Sequence, residues 1–172
     1  WNSNRYYTLL IGKIGIDTDP VISLTPNTLS GHIWGTLGSM KFSPNSQKVA
    51  SAHGWSINYI ELGNFSRLTG EVTNVEKLFV SPAAFTGFET GPYGLEFSPD
   101  SRYLYVYAAY GGTNSFIYQF NLTYSTIAEI QNSRQLVTEL NYPYAGSMQL
   151  APDQKIYITN SFDSSLSVIH QP

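Results

Sequence analysis

A pattern of short apolar strands and tight turns recurs three times along the 172-residue chain. In each copy, two apolar residues stand two positions apart, which is the alternation of a β-strand with one buried face. A Pro and then an Asn or Asp follow, and this pair favours a tight turn. A second strand then returns at 48–53, 103–110 or 155–160. The paired apolar residues are Met40 and Phe42, Leu95 and Phe97, and Met148 and Leu150.

The spacing of the copies indicates the size of the repeated unit. The equivalent residues Phe42, Phe97 and Leu150 lie 55 and 53 residues apart. That length leaves room for a third strand in each copy and a fourth in the first two. A four-stranded antiparallel meander of roughly 50 residues is typical of a β-propeller blade. Third strands are predicted at 57–62, 116–122 and 166–169, and fourth strands at 75–80 and 134–138.

The same pattern extends toward the start of the chain. Residues 6–12 and 21–24 predict the last two strands of a preceding blade. The chain is therefore expected to be all-β, a single partial β-propeller domain over 1–172 with about three and a half blades, where closed propellers have 4–8. We expect it to belong to a larger propeller or to pair with a second copy through open blade edges. The blade ends lie in 1–25, and the repeats span about 38–80, 93–138 and 146–172.

The composition argues against several classes of binding partner. Charged residues are 12% of the chain and the net charge is −3, so the chain lacks the basic patch that nucleic acids and anionic membranes attract. No apolar run reaches the ~18 residues of a membrane-spanning helix. Cysteine is absent, which excludes disulfides and thiolate chemistry. The pattern predicts no cofactor.

Four segments of the repeats carry a resemblance to known proteins, and these are YGLEFSPDSRYLYV, IYQFNL, GSMQLAPDQKIYIT and LSVI. They are similar to the propeller repeats of secreted and surface proteins of Bacteroidetes, which often precede immunoglobulin-like modules and a gliding-motility or type IX sorting domain. Related repeats occur in WD40-like and YVTN-like propellers. The resemblance implies an exported protein, secreted or on the cell surface, with a recognition or scaffolding role.

Candidate ligand-binding residues lie in the loops between blades and between second and third strands. In propellers these loops form the face that usually meets ligands. Exposed Trp and Tyr rings there would suit stacking on a sugar or packing against a protein partner. The alternative, in which the rings pack between blades, stays open. The candidates are His32, Trp34, His53, Trp55, Phe88, Tyr93, Tyr110 and Tyr144.

Catalytic patterns are weak in this sequence. No Ser–His–Asp set or nucleophile elbow can be placed, and no histidine pair has metal-ligand spacing. The sequence therefore predicts no catalytic residue, no metal and a non-catalytic module that binds protein or glycan. The alternative is a lactonase-like propeller hydrolase with a site in the central funnel. The residues considered for that funnel are Ser39, Gly94 and Ser147, with Glu89 and Glu139 upstream.

Overall fold

The structure, a computed structural model of the chain, is a series of antiparallel sheets that form blades of a β-propeller. Strands follow one another in sequence order within the larger sheets, as the repeat predicts. The structure describes residues 3–29, 37–54, 59–80, 91–110, 114–141, 146–160 and 164–172.

The first sheet contains two strands, β1 (Ser3–Thr8) and β4 (Val21–Leu29), which pair antiparallel. A small hairpin of β2 (Ile11–Gly12) and β3 (Gly15–Ile16) connects them. The strand predicted at 6–12 is shorter at its end, because β1 stops at Thr8 and Ile11–Gly12 pairs within the hairpin. That these strands end a preceding blade stays a prediction.

The next three sheets correspond to the three copies of the repeat. Two are four-stranded meanders and the last has three strands, each paired with its neighbour in the sequence. The second sheet comprises β5 (Met40–Phe42), β6 (Lys48–His53), β7 (Tyr59–Phe65) and β8 (Val72–Phe79). The third comprises β9 (Gly91–Phe97), β10 (Tyr103–Tyr110), β11 (Asn114–Asn121) and β12 (Gln135–Leu140). The fourth comprises β13 (Met148–Leu150), β14 (Ile156–Thr159) and β15 (Leu166–Ile169).

A short helix that the repeat did not predict, α1 (Ile127–Asn132), lies between β11 and β12. Thr126 and Glu129 form a reciprocal capping box at its first turn, which satisfies donors that would otherwise lack partners. The Gln131 side chain also exchanges two hydrogen bonds with the backbone of Phe79. The helix therefore ties the third sheet to the second.

The repeated turn between first and second strands is held by its own side chains. In the third sheet, the Ser98 hydroxyl donates to the Asp100 carboxylate at 2.6 Å. The backbone N–H groups of Arg102 and Tyr103 then donate to the Ser98 hydroxyl. Ser101 adopts a left-handed conformation at φ 63°, as tight turns of this kind require. These contacts give the repeated Asp a structural role.

Most of the core lies between the second and third sheets. Apolar side chains from both sheets alternate along their strands and meet there, as expected for stacked blades. A smaller cluster joins the third sheet to the fourth through residues that include Tyr107, Met148 and Ile158. The larger cluster includes Ala50, Ile60, Leu62, Leu78, Leu95, Phe97, Leu104, Val106 and Phe120.

The apolar face of β5, the first strand of the second sheet, is partly exposed to solvent. Leu95 and Phe97 are 0% exposed, whereas Met40 and Phe42, at the same repeat positions, are 55% and 45% exposed. The reason is that the sheet before β5 has only two strands among the described residues, and both are outer strands of a blade. Pairing of two copies through this open side stays a prediction.

The difference in burial gives a matched test of the blade arrangement. Replacing Phe97 by Ala should lower the free energy of unfolding by about 3–5 kcal/mol, since it empties a fully buried site. The change Phe42→Ala should lower the free energy of unfolding much less, because Phe42 is already 45% exposed to solvent. Urea denaturation of both variants measures the difference, and equal losses would contradict the open face.

Candidate functional site

Three polar residues meet where the first strands of neighbouring sheets lie side by side. Lys41, Glu96 and Gln149 occupy the position between the two apolar residues of each repeat, so they project from the opposite face of β5, β9 and β13. The Lys41 Nζ lies 2.9 Å from the Glu96 Oε2 and 2.8 Å from the Gln149 Oε1. We call these three residues the inner row, because first strands form the inner edge of propeller blades.

Glu96 is the fixed member of the inner row. Its carboxylate is buried and accepts hydrogen bonds from Lys41, from the Leu150 N–H at 2.9 Å and from the Phe97 N–H at 3.0 Å. Such pairing is what a buried charge needs to be tolerated. Because its partners lie on the sheets before and after its own, Glu96 joins three blades.

Lys41 keeps hydrogen-bonding capacity for another molecule. An ammonium group has three N–H donors, and two of them point at Glu96 and Gln149. The Lys41 side chain is 22% exposed, whereas that of Glu96 is 5% exposed. The third donor is therefore available to a molecule on the inner side of the sheets.

A second group of polar residues lies between the first and second sheets. The Glu61 Oε2 accepts a hydrogen bond from the Tyr6 hydroxyl at 2.8 Å, and its Oε1 accepts one from the Thr25 hydroxyl at 2.9 Å. The Nε2 of His53 is 3.5 Å from the Glu61 Oε2. We call Tyr6, Thr25, His53 and Glu61 the polar cluster.

The electrostatics of the polar cluster keep Glu61 charged. Burial on its own raises the pKa of the Glu61 carboxyl, but its contacts with His53, Tyr6, Asn27 and Thr25 outweigh burial and lower the pKa. Burial, followed by the charge of Glu61 and the hydrogen bond to it, raises the pKa of Tyr6. Tyr6 therefore stays a hydrogen-bond donor to an ionised carboxylate.

The polar cluster does not belong to the repeat. Ser51 faces Glu61 across the β6–β7 ladder, and the equivalent pair in the next sheet is Val106 and Tyr118. His53 corresponds in the same way to Ala108. Val106 and Ala108 are fully buried in the apolar core between the second and third sheets. In the fourth sheet the same two positions hold Ile158 and Asn160.

His53 is the predicted site residue that the structure places within a cluster. It ends β6, is 5% exposed and packs on the Tyr59 ring at a centroid distance of 5.3 Å. Neither ring nitrogen has a hydrogen-bond partner among the described residues. The side chain borders a cavity of about 350 Å³ that Arg5, Tyr7 and Ser51 also line. This cavity lies at the end of β6 from which the predicted loop 53–56 leaves.

The other predicted ligand-binding residues do not join this group in the part of the chain that is described. Tyr93 lies on β9 and is 36% exposed, and its carbonyl accepts a hydrogen bond from the Ser39 N–H. Tyr110 ends β10 and pairs with Asn114 through the backbone. The remaining candidates fall outside the described residues, and these are His32, Trp34, Trp55, Phe88 and Tyr144.

Sequence reasoning missed the residues that dominate both groups. It considered Ser39, Gly94 and Ser147 for the funnel, but the charged positions are Lys41 and Glu96, two residues further along. The signal was present, because a polar residue between two buried apolar ones must face the other side of the strand. Glu61 also stood out as an acid between Ile60 and Leu62 in a predicted strand.

The described residues contain neither a metal-binding group nor a membrane-spanning helix. No group of three or more His, Cys, Asp or Glu side chains there is arranged to hold a metal ion. In the same part of the chain, no helix has the length and apolar character needed to cross a membrane.

Comparison with known proteins supports the fold. No protein-family model matches the chain, and no curated protein matches it. Solved structures do match, among them a protein from Lactobacillus plantarum with 16% identity and a TM-score of 0.62, covering 96% of this chain and 45% of that one. The chain has the β-propeller fold.

Two further propellers with similar folds are named as lactonases. One is the periplasmic gluconolactonase of Pseudomonas aeruginosa, with 14% identity and a TM-score of 0.54, covering 83% of this chain and 38% of that one. The other is a 6-phosphogluconolactonase candidate from Bacteroides uniformis, with 14% identity and a TM-score of 0.53, covering 98% of this chain and 48% of that one. The chain thus spans less than half the length of these neighbours.

The lowered pKa of Glu61 predicts how acid acts on the fold. A carboxyl whose pKa is lower in the folded than in the unfolded state stabilises the fold at pH values above its unfolded pKa. That stabilisation is lost as the pH falls through the folded pKa. The change Glu61→Gln should therefore reduce the loss of stability between neutral and acidic pH.

Urea denaturation at a series of pH values measures this contribution. The control variant is Glu76→Gln, which removes an exposed carboxylate on β8 of the same sheet and should leave the pH dependence close to that of the unmodified chain. An identical pH dependence in both variants would show that Glu61 is not held as an ion by its neighbours.

Proposed function

We propose that the chain is part of a lactonase-like propeller hydrolase that opens a small lactone at the inner row. The observation that carries the proposal is the position of Lys41, which keeps an available N–H donor beside Glu96 and Gln149. This favours the hydrolase over the non-catalytic binding module that the sequence predicted. The named activities of the structural neighbours agree with the proposal, although likeness at 14% identity supports the fold alone.

In the proposed reaction, the inner row stabilises the charge that develops as the lactone opens. When water adds to the lactone carbonyl carbon, negative charge develops on the carbonyl oxygen. The Lys41 ammonium would donate to that oxygen and stabilise the charge. The bond between the carbonyl carbon and the ring oxygen then breaks, and the proton from water ends on the ring oxygen to give a hydroxy acid. Glu96 and Gln149 hold the ammonium in place.

Removal of the Lys41 charge tests this role. With glucono-δ-lactone or 6-phosphogluconolactone as substrate, Lys41→Met should lower kcat/KM by about 100-fold to 1,000-fold, the cost of losing one donor to the developing oxyanion. A pH-stat assay corrected for the rate in buffer measures the activity. The control is Lys155→Ala, since Lys155 pairs with Asp153 in a repeated turn and should keep full activity.

A binding measurement accompanies the assay, because the chain covers less than half of the neighbouring propellers. Calorimetry with gluconate, the hydroxy acid product, should show binding that Lys41→Met weakens and Lys155→Ala does not. The proposal fails if the chain neither hydrolyses the lactones nor binds gluconate in a way that depends on Lys41. That result would favour the recognition module. Export, which the sequence resemblance implies, remains a further proposal.

A further inference from the structure

The cavity at the polar cluster has the properties of a second binding site, separate from the inner row. Its volume of about 350 Å³ lies within the range of small-molecule sites in proteins. The residues that border it come from both the first and the second sheet, since Tyr6 lies on β1, Thr25 on β4 and His53 on β6. A site there does not depend on the function proposed above.

His53 offers hydrogen-bonding groups to a molecule in this cavity. Both of its ring nitrogens are buried, and among the described residues neither has a hydrogen-bond partner. Buried polar groups in native proteins nearly always have one. Nε2 lies 3.5 Å from the Glu61 Oε2, at the long limit of a hydrogen bond, whereas Nδ1 has no such neighbour among the described residues. The imidazole, at Nδ1 above all, is therefore placed to bond a molecule in the cavity.

The residues around the cavity define the chemistry of that molecule. Arg5 and Glu61 bring one charge of each sign, which favours a ligand without net charge. His53 and Glu61 alone are too few for a metal ion, which takes at least three protein ligands in zinc sites. Tyr6 and Tyr7 add aromatic rings beside hydroxyl groups, a mixture that suits the C–H faces and hydroxyls of a sugar.

We propose that this cavity binds a neutral, hydroxyl-rich molecule of monosaccharide size, with a ligand hydroxyl bonded to the imidazole of His53. A comparison of equivalent positions in neighbouring sheets supports a binding site at this interface. In the next interface the positions of Ser51 and His53 hold Val106 and Ala108, which pack in the core and leave no polar group to satisfy. In the fourth sheet Ile158 stands at the position of Ser51 and Asn160 at that of His53, so among the described sheets the combination of Ser51 and His53 occurs in the second.

Histidine NMR on the whole chain tests the proposal. The chain has three histidines, so uniform ¹⁵N-histidine labelling gives a small set of imidazole signals, and His53→Gln assigns that of His53. The probes are D-glucose and D-galactose as neutral sugars, D-gluconate as an anion of the same size, and ZnCl₂. A neutral sugar should shift the His53 signals saturably, and gluconate should bind at least tenfold more weakly, a difference of about 1.4 kcal/mol.

Two variants separate binding at the cavity from loss of the fold. Ser51→Val introduces the side chain that occupies the same position in the next sheet, so it should fold, fill part of the cavity and weaken sugar binding at least tenfold. Asn160→Ala changes the residue equivalent to His53 in the fourth sheet and should leave sugar binding unchanged.

Four outcomes would overturn the proposal. They are neutral sugars that leave the His53 signals unmoved, gluconate binding as tightly as glucose, zinc binding in place of sugar, and sugar binding that Ser51→Val does not weaken. The Lys41 variants should bind the sugar normally, because the inner row lies apart from the polar cluster. A failure of the hydrolase proposal therefore leaves this test unaffected.

Discussion

The stacking of sheets on one another is the constraint on which the rest of this structure depends. Each meander has side chains on both faces, so a single sheet leaves apolar surface in water unless another sheet covers it. The second and third sheets satisfy this requirement through Leu95, Phe97, Ile60 and their neighbours, all of which are buried. The inner row, the repeated turns and the capped helix all take their positions from that stack.

Polar side chains cluster at two places in a structure whose sheets otherwise pack through apolar residues. At the inner edge, strand alternation turns Lys41 and Glu96 away from the core, and the buried carboxylate accepts hydrogen bonds from the backbone N–H groups of Phe97 on its own strand and Leu150 on β13. Between the first two sheets, replacement of apolar positions by Ser51, His53 and Glu61 introduces polar groups into an interface. The first arrangement follows from the repeat, whereas the second departs from it.

Much of the fold could be predicted from the sequence, because the repeat carries its own signals. Period-two alternation at Leu95 and Phe97, followed by the Ser-Pro-Asp turn, predicted the bounds of β10 correctly. The repeat also predicted the bounds of β6 and β15. The helix α1 was missed, since a single capping box is a local signal without a repeated partner. The polar cluster could not be predicted, because it depends on β1 and β7, which are 55 residues apart at Tyr6 and Glu61.

The sequential pairing of strands also has a consequence for how the chain folds. Nearly every ladder joins strands that are neighbours in the sequence, so each sheet closes short loops at low entropic cost. The second and third sheets share the largest core, and we expect them to form the cooperative unit with the slowest amide exchange. The first sheet rests on that unit through few apolar side chains and should open separately, which would expose His53 and Glu61 while the remaining blades stay folded.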